Sequence, residues 1–235
     1  MTRDVIHENR QEERSGKESH KRINDILLGP LERPALQWLA ARMPRWVNPD
    51  ILTGIGLLGS VLIFFSYWLT SITAHFLWLA SLGLVINWFG DSLDGTLARY
   101  RKIERPKYGF FIDHTVDVVS TLLVVFGLGL SPYVRFEIAC LALIGYLVMS
   151  IFVYIRTCVE GVFKISYGRF GPTEVRLIVI IANTIIYFLG NPTVALPFGV
   201  LSIYDLIAAI VAIILTVIFL VSTISQAREL AKLGE

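Results

Sequence analysis

The sequence predicts an all-α, polytopic membrane protein, with six transmembrane helices preceded by an interfacial amphipathic helix. Three observations carry that prediction. Hydrophobic residues make up 54% of the 235-residue chain and the mean hydropathy is +0.63, more apolar than a soluble globule of this size carries. Apolar segments follow one another between residues 51 and 221, most of them close to the roughly 20 residues that cross a bilayer. Lysine and arginine gather in alternate connections, as they do when they are retained on the cytoplasmic side.

Residues 1–22 carry Glu, Arg, Lys and Gln with almost no large apolar side chains, so they are expected to form a disordered polar tail, and they contain no cleavable signal pattern. Residues 23–47 set Ile26, Leu27, Leu28, Leu31, Leu36, Trp38 and Leu39 against Asp25, Glu32, Arg33, Arg42 and Arg45. That pattern predicts an amphipathic segment lying on the membrane interface, broken or kinked by Gly29-Pro30 and Pro34. A soluble packing helix is the alternative, disfavoured by Trp38 and the arginines beside a span.

The six-helix domain is expected over residues 48–226, with spans near 51–69, 72–90, 110–130, 136–155, 175–189 and 203–221, and a cytoplasmic tail over 227–235. Asn48 or Asp50 caps the first span, with Pro49 in its first turn. The second and third spans carry the aspartates at their ends, so those helices are expected to run on past the hydrocarbon into the aqueous side. The fifth span is short, and its start takes in Thr173 and Glu174; the latter is a candidate to salt-bridge an arginine. Cys140 and Cys158 fall on one predicted helix about 27 Å apart, too far to pair within the chain.

Net charge of +2 says little, whereas its placement says more. Nine Lys and Arg precede the first span, five lie between Arg99 and Lys107, four between Arg156 and Arg176, and two follow the last span, leaving only Arg135 on the other side. Both termini and the connection after the second span are therefore expected to be cytoplasmic. Nothing in the charge pattern points to a nucleic-acid partner.

The chemistry concentrates between residues 91 and 117. Asp91-Ser-Leu-Asp94-Gly95-Thr-Leu-Ala98-Arg99 is followed, nine residues later, by Gly109-Phe-Phe-Ile-Asp113-His-Thr-Val-Asp117. On helices, carboxylates three or four residues apart project from one face, so two facing pairs make a tetracarboxylate pocket. Such oxygens are hard ligands for magnesium or manganese, and the four would repel one another strongly without cations or protons. Gly95, Ala98 and Gly109 leave room for a phosphate-bearing substrate to approach the backbone. Arg99 offers paired donors to phosphate, although membrane anchoring also accounts for it. Asn87, one turn before Asp91, is placed to orient a carboxylate; Asn183 is placed to join helices. His114 faces elsewhere on its helix and is not counted as a ligand.

The spacing of Asp91, Asp94, Gly95, Ala98, Arg99, Gly109, Asp113 and Asp117 resembles the signature of the CDP-alcohol phosphatidyltransferases and fills its eight positions. The resemblance is strongest over residues 48–117. It implies a membrane enzyme of phospholipid synthesis, working with lipid and CDP-alcohol substrates. The donor would be a CDP-linked alcohol, most often CDP-diacylglycerol, and CMP would be released. The resemblance also implies two Mg2+ or Mn2+ ions held by Asp91, Asp94, Asp113 and Asp117, with Asp117 also the general base, and a homodimer. Pro49-Asp50-Ile-Leu-Thr53 is similar to a Pro-Asn-x-x-Thr element found at this place in many members; aspartate replaces asparagine, which weakens a nucleotide contact at residue 50 but leaves Thr53 a candidate. Small residues Gly127, Gly129, Ala139, Ala142 and Gly145 suit either dimerisation or packing within one chain.

The acceptor is left open. Arg156 and Arg176 are candidates to meet a phosphorylated polyol, while for each taken alone positive-inside anchoring is the favoured explanation. Gly171-Pro-Thr-Glu174 resembles the Gly-Pro-x-Glu of aminoalcohol phosphotransferases, which use CDP-choline or CDP-ethanolamine with diacylglycerol. Intramembrane prenyltransferases place acidic motifs in two repeat-related helix pairs, and cation transporters place ligands at the midplane with inverted repeats; neither pattern is present. The charge partition predicts that single cysteines at either terminus and near Arg101 react only with cytoplasmically applied maleimide; labelling near Arg101 from outside would overturn the orientation.

Overall fold

The computed structural model describes residues 27–160, 171–197 and 199–233. Its elements are α1 (Gly29–Arg42), α2 (Pro49–Leu69), α3 (Phe76–Arg101), α4 (Pro106–Gly129), α5 (Phe136–Glu160), α6 (Pro172–Leu189), strands β1 (Thr193–Leu196) and β2 (Gly199–Ser202), and α7 (Ile203–Leu233). The helices α2 to α7 number six, and each is long and apolar enough to cross a membrane. The polar tail over residues 1–22 and the start of the amphipathic segment lie outside the described residues.

Helix ends follow local chemistry. Asn48 caps α2, its Oδ1 accepting from Ile51 N at 2.8 Å, and Pro49 follows where no amide is needed. As expected, α3 runs on to Arg101 and α4 begins at Pro106, so the aspartates sit on helix and not in a loop. Between them the chain turns at Lys102, whose φ of 56° is left-handed. The second span begins at Phe76, later than residue 72, because residues 70–75 make hydrogen-bonded turns.

Two details go beyond the sequence pattern. The segment expected to be broken or kinked forms one unbroken helix, α1, across Pro30 and Pro34. Pro30 lies in the first turn, where amides are unpaired anyway, and Pro34 removes one bond from a helix that continues to Arg42. The purely helical pattern also misses a short antiparallel hairpin, in which Thr193 pairs with Ser202 and Leu196 with Gly199. It is followed by α7, whose start is fixed by Asp205: Oδ1 accepts from Arg135 N at 2.7 Å and Oδ2 from Ser202 N at 2.9 Å.

The inner packing is organised about α2 and α3. Here backbones approach so closely that a Cβ on Gly90 would collide with Gly56 and the Leu52 carbonyl; one on Gly59 would lie 2.6 Å from Asn87 N, and one on Gly83 2.7 Å from Ile63 Cγ1. Without side chains at those points, the helices meet backbone to backbone. Along the seam, Ile63, Tyr67, Leu77, Ala80 and Leu84 form one buried cluster, and Leu52, Leu93 and Leu97 join Leu36 and Ala40 of α1 in another. Tyr67 donates to Asn183 Oδ1 at 2.9 Å while Asn183 Nδ2 donates to Ser81 Oγ at 3.1 Å, so Asn183 does join three helices, α2, α3 and α6.

Helix α4 lies on α2 at Gly127, where a Cβ would come 2.7 Å from Phe64 Cα. Gly129 is seated against Ala139 and Phe136, and Gly145 against Leu215 of α7. These small residues seat helices of one chain, and the homodimer expected from the resemblance draws no support from them. The outer surface is apolar, with Leu58, Ile144, Phe188, Ile213 and Val221 all exposed. An apolar surface this extensive needs a hydrocarbon solvent.

The seam predicts a sharp contrast. Gly90→Ala should destabilise the fold by about 1–3 kcal/mol, since the methyl group meets backbone that cannot yield cheaply. At Gly54 an added Cβ has nothing within 4 Å, and Gly54→Ala should be neutral or gain up to about 1 kcal/mol of helix propensity. Unfolding in mixed micelles, followed by circular dichroism, checks both; equal stability of the two variants would contradict the close contact.

Candidate metal centre

Asp91 and Asp94 project from the last turns of α3, and Asp113 and Asp117 from the early turns of α4. The α2–α3 seam sets the position of the first pair. Gly56 lies opposite the Asp91 amide, where its own Cβ would come within 3.2 Å. Asn87 Nδ2 donates to Gly56 O and Ser60 Oγ, both at 3.0 Å, which locks Asn87 to α2. Its Oδ1 accepts from Arg176 Nε at 2.8 Å, and Arg176 Nη2 donates to Asp91 Oδ2 at 2.5 Å. Asn87 thus orients Asp91 through Arg176.

Asp94 is held separately. Its Oδ2 accepts from Thr53 Oγ1 at 2.6 Å and its Oδ1 from the Gly95 amide. The other three converge: Asp91, Asp113 and Asp117 each offer an oxygen, and these atoms lie within 4.8 Å of one another. Beside them is a small cavity lined by Thr53, Gly56, Asn87, Asp91, Asp113, Val116, Asp117 and Ser120. The buried Ser120 Oγ and Arg176 Nη1 find no hydrogen-bond partner among the described residues.

This donor set fits a divalent cation. Its atoms are hard carboxylate oxygens drawn from two rigid helices, close enough to reach one ion. Arg176 is the guanidinium that the described residues place on Asp91, and a bound cation would add positive charge among these carboxylates. His114 stays outside: its Nδ1 lies 2.8 Å from Phe110 O and 3.9 Å from Asp113 Oδ2.

The remaining candidates are distributed around this centre. Arg99 is exposed, donates to Thr96 Oγ1 at 3.3 Å, and stretches beside Gly95, where a Cβ would lie 3.4 Å from its Nη1. Ala98 is half-buried one residue earlier. At Gly109 an added Cβ would meet nothing within 4 Å among the described residues, which leave open space at that end of α4. Asp50 pairs with Arg105 at 2.5 Å, which ties the start of α2 to the connection before α4; this hydrogen bond raises the Arg105 pKa above its usual value. Arg156 is half-buried near the end of α5 and does not line the cavity.

Arg176 lies at Asp91 itself because of how α6 begins. Glu174 Oε2 accepts from Gly171 N at 2.9 Å, and its Oε1 from Leu28 N at 2.8 Å. Both oxygens therefore accept from backbone, in place of the salt bridge to an arginine that its position suggested. Thr173 Oγ1 donates to Glu32 Oε1 at 2.7 Å, and Trp88 Nε1 donates to the same oxygen at 2.8 Å. Separately, Arg101 ties the end of α3 to the α1–α2 connection by donating to the carbonyls of Met43, Pro44 and Val47. Sequence reasoning missed the Arg176–Asp91 pair, which joins residues 85 apart in sequence.

Residues 46–221 match the family model described as CDP-alcohol phosphatidyltransferase. Cholinephosphotransferase 1 of Danio rerio is 32% identical over 165 residues, covering 65% of this chain and 41% of that protein. Archaetidylinositol phosphate synthase of Pyrococcus horikoshii is 35% identical over 104 residues, covering 44% of this chain and 52% of that protein. Cholinephosphotransferase 1 of Gallus gallus is 30% identical over 177 residues, covering 70% of this chain and 51% of that protein. The chain spans about half the length, or less, of these relatives.

The α1–α6 tie generates a stability prediction. Glu174→Gln turns one acceptor into a donor facing a backbone N–H, and should lower unfolding free energy by about 1–3 kcal/mol. Chemical denaturation in detergent checks it; a Glu174→Gln protein as stable as the parent would mean that this carboxylate does not hold the start of α6.

Proposed function

The chain belongs to the CDP-alcohol phosphatidyltransferase family, and from that membership we propose that it transfers a phosphoalcohol unit from a CDP-alcohol to an acceptor hydroxyl, with release of CMP, in phospholipid synthesis. The single observation that carries the proposal is the convergence of Asp91, Asp113 and Asp117 within 4.8 Å, beside Asp94 and next to open space at Gly109. In this proposal Asp91, Asp94, Asp113 and Asp117 hold two divalent cations, Mg2+ or Mn2+. Bound there, such ions would polarise the diphosphate and neutralise charge growing on departing CMP.

The chain's own groups do the rest. Arg99, exposed beside Gly95, receives the diphosphate with its paired donors, and Gly95, Ala98 and Gly109 let it lie against the backbone. Thr53 fixes Asp94 from α2. Asp117 takes the proton of the acceptor hydroxyl as its oxygen bonds to the phosphorus bearing the donor's alcohol. The bond from that phosphorus to the bridging oxygen breaks, and its electron pair leaves with CMP. The centre lies at the cytoplasmic edge of the bilayer, where a nucleotide arrives from water and a lipid from between helices. The lysine and arginine partition supports that orientation.

CDP-diacylglycerol as donor and a phosphorylated polyol as acceptor form the first choice, with Arg156 and Arg176 as candidate cations for the acceptor. A second choice is a CDP-aminoalcohol donor with diacylglycerol as acceptor. It is supported by the cholinephosphotransferases among the relatives and by the Gly171-Pro-Thr-Glu174 stretch. Purified protein given CDP-diacylglycerol with glycerol phosphate or inositol phosphate, or CDP-choline with diacylglycerol, should release CMP with one pairing, and only with Mg2+ or Mn2+ present. CMP release undiminished in excess chelator would overturn the metal-dependent transfer; release only with CDP-choline would select the second choice.

A further inference from the structure

Resting on the metal-dependent function above, we propose that Arg176 is an internal counterion, which neutralises Asp91 while the carboxylate cluster is metal-free and gives it up when a divalent cation enters. The pair is drawn out of water: 15% of the Arg176 side chain and 24% of the Asp91 side chain are exposed. In that setting Asp91 needs a cation close by, because two further carboxylates, Asp113 and Asp117, bring oxygens within 4.8 Å. Arg176 is the cation the described residues provide in contact with Asp91.

Its placement is built and not incidental. Nε is fixed by Asn87 Oδ1 at 2.8 Å, Asn87 is fixed to Gly56 and Ser60, and the start of α6 is fixed by Glu174 and Thr173. The guanidinium is incompletely satisfied, since buried Nη1 finds no acceptor among the described residues. Leaving Asp91 therefore breaks one ion pair at Nη2, while Nε keeps its amide partner and Nη1 loses no bond to the described residues. A divalent ion brings twice the charge to the same carboxylate, so guanidinium and ion oppose each other at Asp91.

The opposition has a sign that anchoring alone would not give. Mn2+ binding to the full-length protein in detergent, without substrate, is measured by titration calorimetry at low ionic strength, with wild type, Arg176→Gln and Arg176→Lys compared. Loss of the competing charge in Arg176→Gln should tighten Mn2+ binding by about tenfold or more. Arg176→Lys, which keeps the charge, should stay within about threefold of wild type. Unchanged or weaker binding in Arg176→Gln overturns the proposal, and so does an equal gain in Arg176→Lys, which would trace the effect to packing. An Arg176→Gln chain that folds only when purified with Mn2+ supports the exchange, because the ion then replaces the guanidinium as counter-charge; a chain misfolded with and without Mn2+ overturns it. Wild-type protein that binds no Mn2+ would sink the metal-dependent function itself, a failure distinct from these.

Discussion

The backbone contact between α2 and α3 is the constraint on which the centre depends. Gly56, Gly59, Gly83 and Gly90 let two helices touch without side chains between them. Three consequences follow at short range. Thr53 reaches Asp94 across the seam, Asn87 reaches the Gly56 carbonyl, and Asp91 is set against Gly56. A wider spacing would separate those partners by more than a hydrogen bond tolerates. Glycine costs helix propensity in water, but the same residue gives dispersion contacts and direct polar bonds between helices within a bilayer.

On this frame the carboxylates are brought together against their mutual repulsion. Helices α3 and α4 each contribute two, and three of the four, Asp91, Asp113 and Asp117, bring oxygens within 4.8 Å of one another, close enough to reach one cation. Positive charge arrives from α6 as Arg176. That side chain is placed by contacts running through Glu174, Thr173, Glu32 and Trp88 to α1. The helix preceding the first span is consequently part of the architecture that sets charge balance at Asp91, because its Leu28 amide and Glu32 carboxylate fix where α6 begins.

Much of this was legible in the sequence, for local reasons. Apolar runs of membrane-spanning length disclose their helices, and Asp91 to Asp117 disclose their cluster because helical spacing alone puts each pair on one face. Asn48 and Pro49 disclose a helix start by the same local rule. What was not legible depends on which helices touch. For Arg176 taken alone, membrane anchoring was the favoured role, because its contact with Asp91 is a tertiary fact. Glu174 looked like a salt-bridge partner, yet two backbone amides take its oxygens. Attention to small residues fell on Gly127, Gly129 and Gly145, while the decisive seam is marked by Gly56, Gly59, Gly83 and Gly90; glycines recurring three to seven residues apart on two successive spans were the available signal. The hairpin escaped because its strands have four residues each, too few for a period to emerge.

The central claim, that helices α3 and α4 present a divalent-cation centre at the membrane edge, is tested most directly by anomalous X-ray scattering from crystals of this protein grown with Mn2+. An anomalous peak is expected, bounded by carboxylate oxygens of Asp91, Asp113 and Asp117 at about 2 Å, the distance expected for small divalent ions. Crystals with Mn2+ in the mother liquor and no peak among those aspartates would contradict it.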